Sequence, residues 1–231
     1  MRRSKLAASL LKLRRGGALI GEIPAVVMPV YVASAYGIAD ELVAALEPTL
    51  GAVGGYKIGA TSEAGQRMLD LAEPFYGRVF SSCILASGKG WSIEGPGCSV
   101  EAEVGFVIGH TLAPRREPYS EAQVRRAVAR VVPLLEINRP AYAKPFAAGG
   151  LCLIADNGVT RAIVRPQRGR ALGRGSFRNE TVSVAHNGRT VATGGAVVVL
   201  GDPLRAVTWL ANVLSRQGRS LRAGDVSQAA R

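Results

Sequence analysis

From Val100 to Gly109 the chain alternates. Val100, Ala102, Val104, Phe106 and Ile108 fall on one side of a period of two; Glu101, Glu103, Gly105, Val107 and Gly109 fall on the other. That pattern predicts a strand with one face on a core. Elsewhere the period is helical. Leu6, Leu10 and Leu13 predict an amphipathic helix within Met1 to Arg15, stopped by Gly16-Gly17. Ile38, Leu42 and Ala45-Leu46 form one stripe of a second helix over Ile38 to Leu46, with Pro48 following it. Ile23 to Tyr36, with two prolines, reads as a loop or extended connection. A short strand among Gly54 to Gly59 carries Lys57 and leads into a helix from Glu63 to Leu71. Arg78 to Leu85 reads as a strand. Ser120-Glu121-Ala122-Gln123 has the form of a capping box, opening a helix to about Val131 that delivers the chain into the apolar run Val131 to Ile137.

Leu151 to Ala155 and Gly158 to Arg165 read as short strands on either side of Asp156-Asn157, and Gln167 to Gly175 as a basic, glycine-rich loop. Thr181 to His186 and Arg189 to Thr193 form a hairpin about an Asn187-Gly188 turn. Ala196 to Leu200 reads as a buried strand. Asp202-Pro203 opens the best-marked helix: an N-cap, a proline at its first position, apolar Leu204, Val207, Leu210, Ala211 and Leu214, and Gly218 as the stop. Asp225-Val226 starts like a strand, but the tail Ser227 to Arg231 is polar, alanine-containing and reads as too short to continue it.

The alternating strand has a chemical consequence. Glu101 and Glu103 stand on one face with Cα atoms roughly 6.5–7 Å apart by strand rise. Like charges so close repel unless a cation joins them. A solvated sheet face is the plain alternative. Glu136 is a third carboxylate, set in the apolar run Val131-Val132-Pro133-Leu134-Leu135-Glu136-Ile137. An ionised group buried there requires a partner. That partner is either an arginine or a metal. Three carboxylates without a nearby histidine or thiolate suit a hard cation with oxygen ligands, Mg²⁺ or Mn²⁺ before Zn²⁺. Lys57, among glycines and apolar residues, is a candidate desolvated amine, with snorkelling to solvent as its alternative.

Composition narrows the classes. The 231 residues suffice for one large domain, or a small one beside a larger one, and 48% hydrophobic with 20% charged content excludes a disordered chain. No apolar run approaches the ~18 residues of a membrane span, and no membrane partner is expected. Cys83, Cys98 and Cys152 show no CxxC spacing and read as reduced thiols of a cytoplasmic protein. The two histidines, His110 and His186, lie in no recognisable triad setting. The net charge of +12 comes from dispersed arginines, concentrated at Arg2 to Arg15 and Arg161 to Arg178. With 6% aromatics and no zinc-finger or RRM-type motif, a nucleic-acid partner is not expected. A basic pocket for small anions uses the charge as well.

Five stretches then occur in order: Gly55-Tyr56-Lys57-Ile58-Gly59-Ala60-Thr61-Ser62; Glu101-Ala102-Glu103; Leu135-Glu136-Ile137; Ile154-Ala155-Asp156-Asn157; and Leu200-Gly201-Asp202-Pro203 with Trp209-Leu210-Ala211-Asn212. Together they resemble the 2-keto-4-pentenoate hydratase and 4-oxalocrotonate decarboxylase branch of the fumarylacetoacetate hydrolase family, over nearly the whole chain. The resemblance implies an α+β fold: a mixed-β, barrel-like core with N-terminal helices packed outside. It divides the chain into 1–72, a helical region with the Lys57 strand, and 73–231, a mixed-β catalytic domain. It implies a Mg²⁺- or Mn²⁺-dependent hydratase, a homo-oligomer, acting on small 2-oxo or 2-hydroxy-dienoic acids from aromatic catabolism. Glu101, Glu103 and Glu136 match the metal ligands and Lys57 the active-site lysine. Ser62, Asp156 and Asn157 are candidates for orienting substrate or water, with turn and capping roles as the alternative. Two departures stand out. Asn138-Arg139-Pro140 follows Glu136-Ile137 where an Asp-Ser-Arg type of sequence is common, and relatives continue past Gly224-Asp225-Val226 into further strands. The expectation is therefore a shortened chain whose C-terminal strands are missing. The alternatives are a decarboxylase of a 2-oxo-dioic acid, or a non-catalytic member that binds a partner such as a decarboxylase subunit. The scarcity of histidine counts against a C–C hydrolase.

Overall fold

The computed structural model describes residues 4–16, 18–21, 23–92, 97–173 and 175–229. Met1 to Arg3 of the expected first helix, Gly17 of its stop, Arg174 of the basic loop and Ala230-Arg231 of the tail lie outside the described residues.

Helix α1 (Lys5–Arg14) forms where the leucines recur, capped by the Ser4 hydroxyl, which accepts from the Ala7 N–H, and it buries Leu6, Leu10, Leu11 and Leu13. Helix α2 (Val32–Leu50) is longer than the stripe suggested. It starts six residues earlier because Ser34 Oγ accepts from the Tyr31 N–H and donates to the Tyr31 carbonyl, closing its first turn. It also passes through Pro48. A proline in the last turn forfeits one hydrogen bond, and the chain turns off at Gly51, where φ is +79°. Strand β1 (Val53–Gly59), helix α3 (Glu63–Leu69) and strand β2 (Phe75–Phe80) follow. The single strand expected over Arg78 to Leu85 is two strands, because a 3₁₀ turn at Ser81–Cys83 breaks it before β3 (Ile84–Ala86).

Strand β4 (Ser99–Ile108), helix α4 (Glu121–Ala127) and strand β5 (Val128–Asn138) follow. Helix α4 ends four residues before the expected limit, since the β-branched Val128, Val131 and Val132 belong to β5. Leu151 to Ala155 is helical: α5 (Pro145–Ala148) and α6 (Gly150–Ala155) precede β6 (Thr160–Arg165). A five-residue apolar run, buried from Cys152 to Ala155, carries no period to separate helix from strand. The hairpin β7 (Thr181–His186) and β8 (Arg189–Gly195) turns at Asn187 and Gly188, both with positive φ. Ala196–Val198 is a 3₁₀ turn rather than a buried strand, with Val197 and Val198 each 39% exposed. Helix α7 (Pro203–Arg216) starts at Asp202, whose Oδ1 accepts from the Leu204 N–H. The segment Ala196–Arg216 is long and apolar enough to cross a membrane by length and composition only, and its Leu204, Val207, Leu210 and Leu214 are all buried in the core.

The chain ends its described course as strand β9 (Val226–Ala229). This corrects the reading of Ser227 onward as too short a tail. β9 lies between β1, to which it is parallel, and β4, to which it is antiparallel. The seven-stranded sheet runs β2-β1-β9-β4-β5-β6-β3, and β7-β8 forms a second sheet. β1 and β2, on either side of position 72, are antiparallel neighbours in it.

Both faces of the sheet are covered. Tyr56, Ile58, Phe106 and Ile108 pack with the buried side of α7. Val79, Val107, Val132, Leu134 and Val226 pack with α1, α2 and α6. On that second side the sheet curls. The Asn157 side chain donates to the Arg78 carbonyl and accepts from the Arg78 N–H, each at 2.8 Å, so one amide side chain stands in for a strand partner at the β2 edge. Glycine permits the approach: a Cβ on Gly77 would meet the Asn157 carbonyl oxygen at 2.2 Å. The core is barrel-like in this sense, as the α+β expectation held.

Candidate metal centre

The alternation in β4 is real, but its outer half is inverted. Val100 is 48% exposed, whereas Glu103 is 2% exposed. The carboxylate face is the inside of the curled sheet, so the solvated-face alternative does not hold for Glu103. Register then completes the cluster. Glu101 of β4 stands directly opposite Glu136 of β5, and Glu103 follows on the same face. Carboxylate oxygens of Glu101, Glu103 and Glu136 all lie within 4.8 Å of one another.

Lys57 reaches the cluster from β1. Its Nζ lies 3.4 Å from Glu136 Oε2 and 5.7 Å from the centre of the Phe75 ring. It is 4% exposed, so it does not snorkel. Thr160 donates its hydroxyl to Glu136 Oε1, and the Asn138 amide donates to Glu101 Oε1 at 3.2 Å. Glu103 Oε2 is buried and has no hydrogen-bond partner.

The electrostatics follow from three acids facing one amine. Burial disfavours the charged form of Lys57, but Glu136, Glu101 and Glu103 together outweigh it and hold the amine above the ordinary lysine value. Burial pushes Glu103 well above the usual carboxylate range, and Glu136 and Glu101 push it further against the pull of Lys57. Burial also raises Glu101, with Lys57 opposing and Glu136 adding. A group that burial pushes toward its neutral form, with an oxygen left unpaired, is short of positive charge. Three converging carboxylates fit a hard divalent cation by donor type.

The other candidates have their polar side-chain atoms engaged by other partners. The Ser62 hydroxyl accepts from the Gly65 N–H at 3.1 Å and caps α3. Asp156 follows α6 and is held on every side: Arg14 Nη2 at 2.9 Å from Oδ1, the Ala141 N–H at 2.7 Å from Oδ2, and Arg161 at 3.8 Å. Arg14 also donates to the carbonyls of Asp156 and Thr160. Asn157 spends its amide on Arg78.

Three polar residues around the cluster escaped the sequence reading. Asn138 shares the face of Glu136 two residues earlier, so a period-two count through β5 finds it. Thr160 is brought in by the pairing of β5 with β6, which has no local signal. Gln228 sits in β9 opposite Lys57 and Gly105, fully buried, with neither amide atom paired.

No family model matches the chain. Among proteins of known function, the chain is 34% identical over 178 residues to a 2-keto-4-pentenoate hydratase of Paraburkholderia xenovorans (strain LB400), covering 74% of the chain and 63% of that protein. The chain thus spans less than two thirds of that relative's length. It is 30% identical over 199 residues to a 4-oxalocrotonate decarboxylase of Pseudomonas putida, covering 83% of the chain and 72% of that protein. Among solved structures, the 4-oxalocrotonate decarboxylase of Pseudomonas putida G7 with magnesium and adipate superposes with a TM-score of 0.82 at 24% identity, over 98% of this chain and 87% of that one. The same enzyme has also been solved with calcium and acetate.

Proposed function

The chain belongs to the 2-keto-4-pentenoate hydratase and 4-oxalocrotonate decarboxylase branch of the fumarylacetoacetate hydrolase family, and from that premise we propose that it is a cytoplasmic, divalent-metal-dependent hydro-lyase. Its substrate is a small 2-hydroxy-dienoate from the breakdown of aromatic compounds, to which it adds water. The observation that carries this reading is the convergence of Glu101, Glu103 and Glu136 within 4.8 Å, with one buried lysine against them.

Glu101, Glu103 and Glu136 would hold the cation, Mg²⁺ or Mn²⁺, through their carboxylate oxygens. When bound, it supplies Lewis acidity to the 2-oxygen of a 2-oxo or 2-hydroxy acid. Asn138 and Thr160 orient two of the three carboxylates through their hydrogen bonds. Lys57 moves the proton. Its charged form is held by the carboxylates. Once their charge is engaged by a ligand, that hold weakens and the amine can act as base and then as acid in the dienol-to-ketone tautomerisation. The walls of the curled sheet keep bulk water from the amine. Ser62, Asp156 and Asn157 serve the framework in this reading, since their polar atoms are already engaged. The exposed apolar side chains of Val26, Val30 and Phe146 suit assembly into a homo-oligomer.

A decarboxylase is the second reading, because the Pseudomonas putida decarboxylase aligns with more of the chain than the hydratase does. It uses the same residues and loses CO₂. The deciding experiment mixes purified protein and Mn²⁺ with 2-hydroxypenta-2,4-dienoate and follows the dienol absorbance. Metal-dependent loss supports the hydratase. An unchanged dienol together with CO₂ release from 4-oxalocrotonate replaces it with the decarboxylase.

A further inference from the structure

Gln228 is a buried residue beside the cluster whose chemistry nothing yet uses. Strand β9 pairs it with Lys57 on one side and Gly105 on the other. Directly paired residues send their side chains to the same face of a sheet. Gln228 therefore shares the inner face with Lys57 and the carboxylates. It has no exposed surface, and neither Nε2 nor Oε1 has a hydrogen-bond partner. A buried amide left unpaired destabilises the protein that carries it. Such a group is explained when a ligand completes it.

Its position specifies which part of a ligand. Gly105 lies two residues beyond Glu103 on β4, deeper in the sheet by roughly 6.5–7 Å. An acid whose carboxylate and 2-oxygen stand at a cation held by the three glutamates, and whose chain runs along β4 toward Gly105, would place its distal carbons beside Lys57 and Gln228. The amide then specifies the group. It offers a donor and an acceptor together. A carboxylate only accepts and leaves Oε1 unsatisfied. A hydroxyl accepts from Nε2 and donates to Oε1.

We propose that Gln228 is a specificity-determining residue that binds the 4-hydroxyl group of a 4-hydroxy-2-oxo acid, the oxygen that hydration places on the distal carbon. This rests on the reading of the glutamate cluster given above.

Calorimetry on the Mn²⁺-loaded protein tests it, with 4-hydroxy-2-oxopentanoate and 2-oxopentanoate as a pair differing by the hydroxyl. The wild type binds the hydroxy acid roughly tenfold more tightly, the scale of one satisfied buried pair. Gln228→Leu binds both acids about equally and keeps its Mn²⁺ affinity. Its ligand-free Tm is unchanged or higher, because leucine fills the space without an unpaired amide. Equal binding of the two acids by the wild type, a preference that survives in Gln228→Leu, or a lowered Tm for that variant each overturns the proposal and leaves the metal reading intact. Failure of both acids to bind the Mn²⁺-loaded wild type overturns the reading of the cluster and the proposal together.

Discussion

Asp156 and Glu103 are both buried acids, 0% and 2% exposed, and they are held in opposite ways. Asp156 has a guanidinium on one oxygen and a backbone N–H on the other. Burial still raises it above the ordinary aspartate value, although Arg14 and the Ala141 N–H oppose this. Glu103 faces two more carboxylates and keeps an oxygen without any partner. The first is a completed joint: it fastens α1 to the connection between α6 and β6. The second is a half-made one, left for something from outside the chain. For these two acids, the count of satisfied carboxylate oxygens separates scaffold from site where burial does not.

Removing the partner of the completed joint has the largest expected effect. Arg14→Met leaves the Asp156 carboxylate without its main cation, and we expect a loss of about 3–5 kcal/mol of stability in denaturant unfolding. A loss below about 1 kcal/mol would mean that Arg14 is no clamp. On the half-made side the effect falls on chemistry. Lys57→Ala lowers kcat about 10²-fold or more in the dienol assay, the usual scale for acid–base catalysis, while Mn²⁺ binding by calorimetry is kept or tightened. Turnover within a few-fold of wild type would place the base elsewhere. Glu136→Gln weakens Mn²⁺ binding in the same calorimetry; equal affinity would remove the metal reading.

A pH series sharpens the contrast further. Glu101 and Glu103 have folded values above the ordinary glutamate value of about 4.3. Between the unfolded and folded values the native state carries the extra protons. The stability of the metal-free protein therefore falls as pH rises through that window, and Mn²⁺ affinity climbs as the protons leave. Thermal melts with and without Mn²⁺ read both slopes. A metal-free protein that gains stability from this window upward contradicts the sign. The smallest effect is at Ser62. Ser62→Ala costs about 1 kcal/mol as a lost cap and leaves substrate KM unchanged. A raised KM would return Ser62 to the substrate.

The same contrast governs what the sequence made legible. Helix α7 was readable because its signals are local: Asp202, Pro203, the apolar spacing and Gly218 all act within the element. Glu101 and Glu103 were readable because two acids at i and i+2 must share a strand face, and Glu136 because an acid in an apolar run requires a partner. The distant pairings were not. Ser227-Gln228-Ala229 looks like a polar tail, yet it is buried because β1 and β4 take it between them. Leu151 to Ala155 has no period to read, and Pro48 punctuates a helix that packing carries past it. Asp156 and Asn157 are ordinary turn residues in sequence; only the fold brings Arg14 and Arg78 to them.

The place of β9 also bears on how this protein reaches its fold. Lys57 and the glutamates of β4 come from strands that do not touch; a strand from the far end of the sequence joins them. A parallel pairing across so much chain closes a large loop before any contact rewards it, which slows folding. Until that closure, β1 and β4 each expose a row of unpaired backbone groups, a template for other chains. Refolding yield should therefore fall with protein concentration, because a neighbouring molecule competes with β9 for the same slot.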